Sequence, residues 1–366
     1  MKPLFLLILC VHGLIHLMGF AKAFDLASID GINSSISKPV GLIWLLVTLL
    51  FLSAAIGFFT EKSFWPIAAL VALFLSQVLI ILVWKDARWG TLANAAILAV
   101  AIPSFGAFRF QTLVNTEIDA LLNGVEEKRT TSQKNQPEAL PKPIHNWLQK
   151  SGAMEKAPAY CARIKQKGRI RTSSDGKWMP FTATQYFDFN NPAFVWTTQV
   201  EVMPLVSMVG RDKFINGEGS MLIKFLSLIP VVDESNNEKI NSGTQLRYMG
   251  ELSWFPTTIS SSSVMWELID SLTVKASLSY KNTSATGIFY FSENGDFKAF
   301  EADRYYGGGA DAKRERWRVE AVDYKEINGI RIPYKNRAIW KLRNGDFIWL
   351  ELEIVTLETN IPKRFD

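Results

Sequence analysis

The chain has three histidines, and two of them, His12 and His16, stand four residues apart in the apolar stretch CVHGLIHLMGF, residues 10–20. Side chains four apart share one face of a helix, and ionisable groups at membrane depth are costly enough to count as functional candidates. As neutral imidazoles the pair can hydrogen-bond across helices to Gln77 or Asn94, polar residues in two other apolar stretches. Alternatively, the pair can hold a proton, a ligand or a divalent ion. Haem between them is excluded, because bis-histidine ligation needs imidazoles on opposite faces of the macrocycle. For an ion, no Asp, Glu or Cys stands out in the apolar stretches to complete a shell. No metal or cofactor is expected.

The carboxyl-terminal part offers a different chemistry. Eight of the twelve tryptophans lie there. Trp196, Trp254, Trp266, Trp340 and Trp349 are candidate lining residues for an apolar ligand, with Arg247 and Glu251 at its entrance. The bland alternatives are an ordinary aromatic core and an i,i+4 surface ion pair. In FIWLELEIV, Ile348, Leu350, Leu352 and Ile354 form an apolar face, while the opposite face begins with Phe347 and Trp349 and turns to Glu351 and Glu353. Aromatics on both faces suit a curved sheet with one side packed on a helix and a concave side lined for a ligand. The part has no serine elbow, zinc motif or cysteine–histidine pair, and Gly217–Glu218–Gly219 lacks the spacing of a phosphate loop. Convergence of Asp188, Asp212, Glu218, Glu251 and Asp270 cannot be read from spacing, so an enzyme is the lesser reading. No nucleic-acid partner is expected.

Several elements must position these residues. A mean hydropathy of +0.08 hides a steep gradient. The first 110 residues carry four apolar segments, about 3–20, 40–59, 64–84 and 90–108, each near the ~20 residues a helix needs to cross a ~30 Å hydrocarbon core. Trp65, Trp84 and Trp89 fall at segment ends, where indoles favour the bilayer interface. Lys2 and Ala21-Lys22-Ala23 outline an export signal, but the first run exceeds the usual ~7–15 residues of such a core, so it is read as a retained span. Lys22, Lys38, Lys85 and Arg88 in the first and third loops favour both termini outside the cytoplasm. With Cys10 and Cys161 as the only cysteines, no disulfide framework reports the compartment.

Residues 111–140 read as an amphipathic helix and a polar linker. Phe110, Leu113, Val114, Ile118, Leu121, Leu122 and Val125 make a helical stripe, either extending the fourth span or lying on the membrane surface. Pro137, Pro141 and Pro143 punctuate the linker. A short helix near residues 144–150 opens the third region, residues 141–366, with His145 on its surface. There the periodicity changes to two, clearest in LTVKASLSYK. Asp175-Gly176, Asn294-Gly295, Asn328-Gly329 and Asn344-Gly345 supply hairpin turns, Gly210 and Gly217 mark further turns, and one helix is predicted at residues 243–254. The predicted class is membrane α plus β: four transmembrane helices, then a mainly antiparallel β domain forming a curved sheet or half-barrel with one or two helices.

The blocks HGLIHLMGF, GKWMPFTATQYF with PAFVW, VGRDKFINGEGSMLIKFLSLIPV, LRYMGELSWFPT and DYKEINGIRIPYKNRAIWKL resemble an uncharacterised family of bacterial multi-pass membrane proteins carrying a domain of unknown function. The resemblance implies a bacterial inner-membrane location and no particular activity. The strand and hairpin order is also similar to the periplasmic lipoprotein-carrier fold, a curved antiparallel sheet around a hydrophobic cavity. The resulting expectation is a membrane-anchored domain that binds a lipid or other apolar small molecule at the bilayer. The competing classes are an intramembrane metal or redox site at His12 and His16, and an interaction scaffold without a small ligand.

Overall fold

The computed structural model describes residues 2–29, 31–128, 140–204, 206–307, 309 and 311–365. The chain divides into two compact units, Met1–Gln111 and Thr112–Asp366.

The first unit is built from α1 (Lys2–Ile15), α2 (Leu17–Ala23), α3 (Lys38–Phe59), α4 (Trp65–Leu82), α5 (Trp84–Ala87) and the start of α6 (Gly90–Lys128). Among the described residues four helical stretches are long and apolar enough to cross a membrane: Lys2–Ala23, Lys38–Phe59, Trp65–Leu82 and Gly90–Val125. Prolines open α3 and α4 in the first turn, where their missing N–H costs nothing. The first stretch breaks at His16, between α1 and α2. Small residues let the helices approach, as lipid-facing bundles require. Gly13 meets Phe51, and Gly19 lies against the face of Trp44, whose ring occupies the space a Cβ would need.

α6 carries the amphipathic stripe on the same helix as the fourth apolar segment. It runs unbroken past the fourth apolar segment, through Pro103, to Lys128. Val114, Ile118, Leu121, Leu122 and Val125 are buried, whereas Leu113 is 42% exposed and drops out of the stripe. Of the predicted linker, residues 129–139 lie outside the described residues.

The second unit contains α7 (Lys142–Lys150), with Ile144, Trp147 and Leu148 buried and His145 exposed. Its strands are β1 (Cys161–Ile170), β2 (Met179–Asp188), β3 (Ala193–Met203), β4 (Val206–Ile215), β5 (Glu218–Phe225), β6 (Ile229–Ser235), β7 (Met265–Asp270), β8 (Thr273–Tyr280), β9 (Thr283–Phe291), β10 (Phe297–Tyr306), β11 (Lys313–Ile327), β12 (Ile330–Leu342) and β13 (Gly345–Thr359). Among the described residues they form one open, curved antiparallel sheet of 13 strands in the order β6-β5-β4-β3-β2-β1-β13-β12-β11-β10-β9-β8-β7. Two meanders therefore run outward from a central pair, β1 and β13. Asn328 and Gly329 take φ of 54° and 77° in the β11–β12 turn, the left-handed pair that suits the twist of a hairpin.

Between β6 and β7 the chain enters α8 (Glu238–Glu251), which touches β4 and β5 on one arm of the sheet and β9 and β10 on the other. The helix predicted at 243–254 thus begins earlier, because Asn237 caps it by accepting from the Ile240 N–H at 3.1 Å. It also ends earlier, giving way to 3₁₀ turns at Leu252–Trp254 and Pro256–Ser261. These segments fill much of the concave side, packing Leu246, Met249, Leu252 and Phe255 with Phe187, Phe194, Phe289 and Phe300 of the strands. Each such aromatic contributes about 1.5–3 kcal/mol by leaving water.

Two expectations are corrected. Gly210 is not a turn residue; it lies inside β4 opposite Thr198, and the turn falls at Asn216–Gly217, φ 56° and 84°. In β13, a register shift opposite Ala338/Ile339 makes Trp349 an extra residue. The shift carries Phe347 to the inward side shared by Leu350, Leu352 and Ile354, and turns Ile348 outward with Glu351 and Glu353. Aromatics on both sides of FIWLELEIV thus reflect a bulge.

Candidate functional site

In the first unit the polar side chains meet one another. His16 Nδ1 is 2.8 Å from the His12 carbonyl, which can only accept, so this nitrogen carries a proton; His16 Nε2 lies 3.0 Å from Ser76 Oγ, which also meets Asn94 Oδ1 at 3.1 Å. His12 Nε2 lies 2.8 Å from Asn94 Oδ1. Asn94 Nδ2 donates to Gln77 Oε1 at 3.0 Å, and Gln77 Nε2 donates to Thr91 Oγ1 at 3.2 Å. His12, His16, Gln77 and Asn94 thus fall into one interhelical network, with Ser76 and Thr91 added. Among the described residues no three His, Cys, Asp or Glu side chains gather to hold a metal ion. A double-mutant cycle with His12→Phe and Asn94→Leu should return a coupling of about 0.6–2 kcal/mol in reversible detergent unfolding. The purified His12→Ala, His16→Ala variant should keep the wild-type metal content; a stoichiometric loss would restore the metal reading.

In the second unit, register decides which side chains look inward. Paired residues share a face, so Gln166, Gln185, Trp196 and Asp212 follow one another across β1 to β4 on the core side. On the other arm, Arg304 is inward on β10 beside Ala302, and Ala302, Trp317, Trp340 and Phe347 form a cross-strand row. α8 supplies Arg247 and Glu251.

Arg247 is the hub. Its Nη1 donates to Asp212 at 2.8 Å and its Nε to Glu251 at 2.7 Å, and its guanidinium stacks on Trp196 at 4.6 Å and Phe194 at 5.1 Å. Gln185 Nε2 donates to Glu251 at 2.6 Å, and Trp196 Nε1 donates to Gln166 at 2.9 Å. The expected i,i+4 pair therefore exists, but not as a surface pair: the Arg247, Glu251 and Asp212 side chains are only 16%, 10% and 2% exposed. Burial raises the Glu251 carboxyl above its ordinary value against the pull of Arg247. Burial would lower Arg247, but Glu251 and Asp212 outweigh it and hold the guanidinium above its usual value. Burial pushes Arg304 down to about 10, although Asp212 favours its charge.

The candidate tryptophans divide. Trp196 joins Arg247 and Glu251 directly. Trp340 packs edge-on against Tyr306 at 5.0 Å, and Trp349 is half-buried beside the same core. Trp254 is 2% exposed next to Phe255, and Trp266 packs on Phe289 at 5.1 Å; both stand apart from the ionic cluster. Among the described residues no acceptor meets the indole N–H of Trp254, Trp266, Trp317 or Trp349. Gln185, Gln166, Trp317 and Arg304 were missed from the sequence, and Asp212 was named only among carboxylates whose convergence spacing does not show. The usable signal is a polar residue interrupting an apolar inward series, as Arg304 interrupts Phe300, Ala302 and Tyr306. A groove of about 560 Å³ is lined by Phe181, Asn336 and Leu352 together with Lys167, Thr182 and Glu353, and no residue of the ionic cluster lines it.

Four apolar helices followed by an open antiparallel sheet curved around a helix define a membrane α-plus-β protein. The chain belongs to a family of unknown function, DUF6544, whose model matches residues 130–352. Among solved structures it is similar to a DUF1329 family protein from Desulfovibrio piger, with 9% identity over 61% of this chain and 93% of that one and a TM-score of 0.35. It is also similar to a putative outer membrane lipoprotein-sorting protein domain from Vibrio parahaemolyticus, with 8% identity over 60% and 93% and a TM-score of 0.35. A search of curated proteins gives no match.

Proposed function

We propose that this is a multi-pass protein of a bacterial inner membrane whose β domain, outside the cytoplasm, binds the apolar part of a lipid or similar amphiphile at the bilayer surface. Trp196, Trp340 and Trp349, joined by Trp317, contact the ligand. Arg247 and Glu251 hold the polar wall, while Trp254 and Trp266 belong to the packed floor. One observation carries the reading: among the described residues the inward aromatics include the partly exposed Trp196 and Trp349 and two indole N–H groups, of Trp317 and Trp349, that no protein acceptor meets. Amphipathic rings of this kind suit a ligand that is greasy along its length and polar at one end. The location rests on the family resemblance, and the orientation on the loop charges.

The test is photolabelling of the full chain in phosphatidylcholine nanodiscs with a diazirine-bearing stearic acid, followed by peptide mapping. Label should fall on peptides from β3, β11, β12 and β13, and Trp340→Ala should lower it roughly tenfold. Label confined to residues 1–111 would remove the β domain from ligand binding.

A further inference from the structure

Arg247 makes the direct ion pairs of both carboxylates, and Arg304 offsets their second negative charge only from a distance. Among the described residues no carboxylate forms an ion pair with Arg304 and no acceptor hydrogen-bonds it. Glu315, its cross-strand neighbour on the same face, makes no ion pair with it either. What Arg304 does have is a cradle. Its guanidinium stacks on Trp317 at 4.8 Å. From α8, Gly243 faces it so closely that a Cβ would stand 3.2 Å from Nε. Trp317 is 3% exposed and its own N–H has no protein acceptor. The other end is open: Arg304 is only half-buried, and Tyr306, two residues on, is 38% exposed where it leans on Trp340.

A guanidinium is a planar fork of donors matched to carboxylate and phosphate oxygens. Packed between the Trp317 ring and Gly243, it can receive such an anion at little ordering cost. We infer that the ligand of the concave face carries an anionic head, a carboxylate or a phosphate, received by Arg304 with the Trp317 N–H beside it, while its alkyl chain follows the aromatic row. This rests on the reading of the β domain as an amphiphile binder.

The experiment uses the same photolabelled full chain at alkaline pH, with oleate, oleyl phosphate and oleyl alcohol as competitors. Either or both acids should displace the probe at concentrations roughly tenfold below the alcohol, reflecting a charge-assisted contact; the better acid names the head. Arg304→Gln should bring the acids to the level of the alcohol, with Arg304→Lys in between. The Gln variant should remain folded, because Arg304 makes no direct ion pair or hydrogen bond among the described residues that the substitution would break. Equal competition by acid and alcohol in the wild type, or an acid preference that survives Arg304→Gln, overturns the anionic head and leaves amphiphile binding standing. No label on the inward strands overturns both.

Discussion

Replacing Arg247 by methionine should destabilise the β domain by about 3–5 kcal/mol, the cost of leaving a buried charge without its partner. Asp212 and Glu251 both lose their counter-ion, and Gln185 can satisfy only part of Glu251. The loss should grow with pH. In the wild type the Glu251 carboxyl already sits above its ordinary value, so its protonated form favours the fold. Without Arg247 it rises further, and stability falls as pH climbs from the unfolded carboxylate value of about 4.3 through the higher folded value. Thermal unfolding followed by circular dichroism at acidic and alkaline pH reads both effects. Adding Asp212→Asn to Arg247→Met should recover most of the stability, since Glu251 and Arg304 then balance one another in charge. A variant as stable as wild type at alkaline pH would mean that water reaches this cluster and that its burial has been misjudged.

The second large effect is expected in the first unit. Gly19→Leu must displace either α2 or the Trp44 ring of α3, which already fills the space in front of the glycine. Overpacking of this kind costs about 1–3 kcal/mol and sometimes more. Here it also disturbs Trp44, which packs on His16 at 5.2 Å, and so reaches the polar network. Detergent unfolding of Gly19→Leu should show this loss, whereas Gly31→Leu, where only the Met18 side chain lies within reach, should be near neutral. Equal stability of the two variants would disprove tight packing of α2 on α3.

Why were some features visible in the sequence and others not? The spans follow from composition, and the long strands β10 to β13 from alternation and Asn-Gly turns, because those signals are local. The edge strand β6 carries Pro230 and no alternation, and its hairpin with β5 turns at Leu226 and Ser227, φ 51° and 60°, without a glycine or asparagine. Neighbouring packing holds that turn, and no short-range rule announces it. The candidate site was half legible. Trp196, Arg247 and Glu251 were named and come together, but Asp212 and Arg304 arrive from strands far apart in the chain, and only the register of the sheet shows that they share a face. Trp254 and Trp266 pack on Phe255 and Phe289 apart from the ionic cluster, a separation that spacing along the chain does not carry. The bulge in β13 misled, since one inserted residue imitates a strand that is greasy on both sides.

The pairing of β1 with β13 reaches beyond the site. Arg163 faces Glu358 across it, and Ile170 faces Leu350, so the middle of the sheet joins the first strand of the domain to the last. During synthesis the apolar helices emerge and can enter the lipid while this seam still lacks one side. The sheet can close only after β13 has left the ribosome, and until then β1 presents an unmated edge that the cell must keep from sticking to other chains.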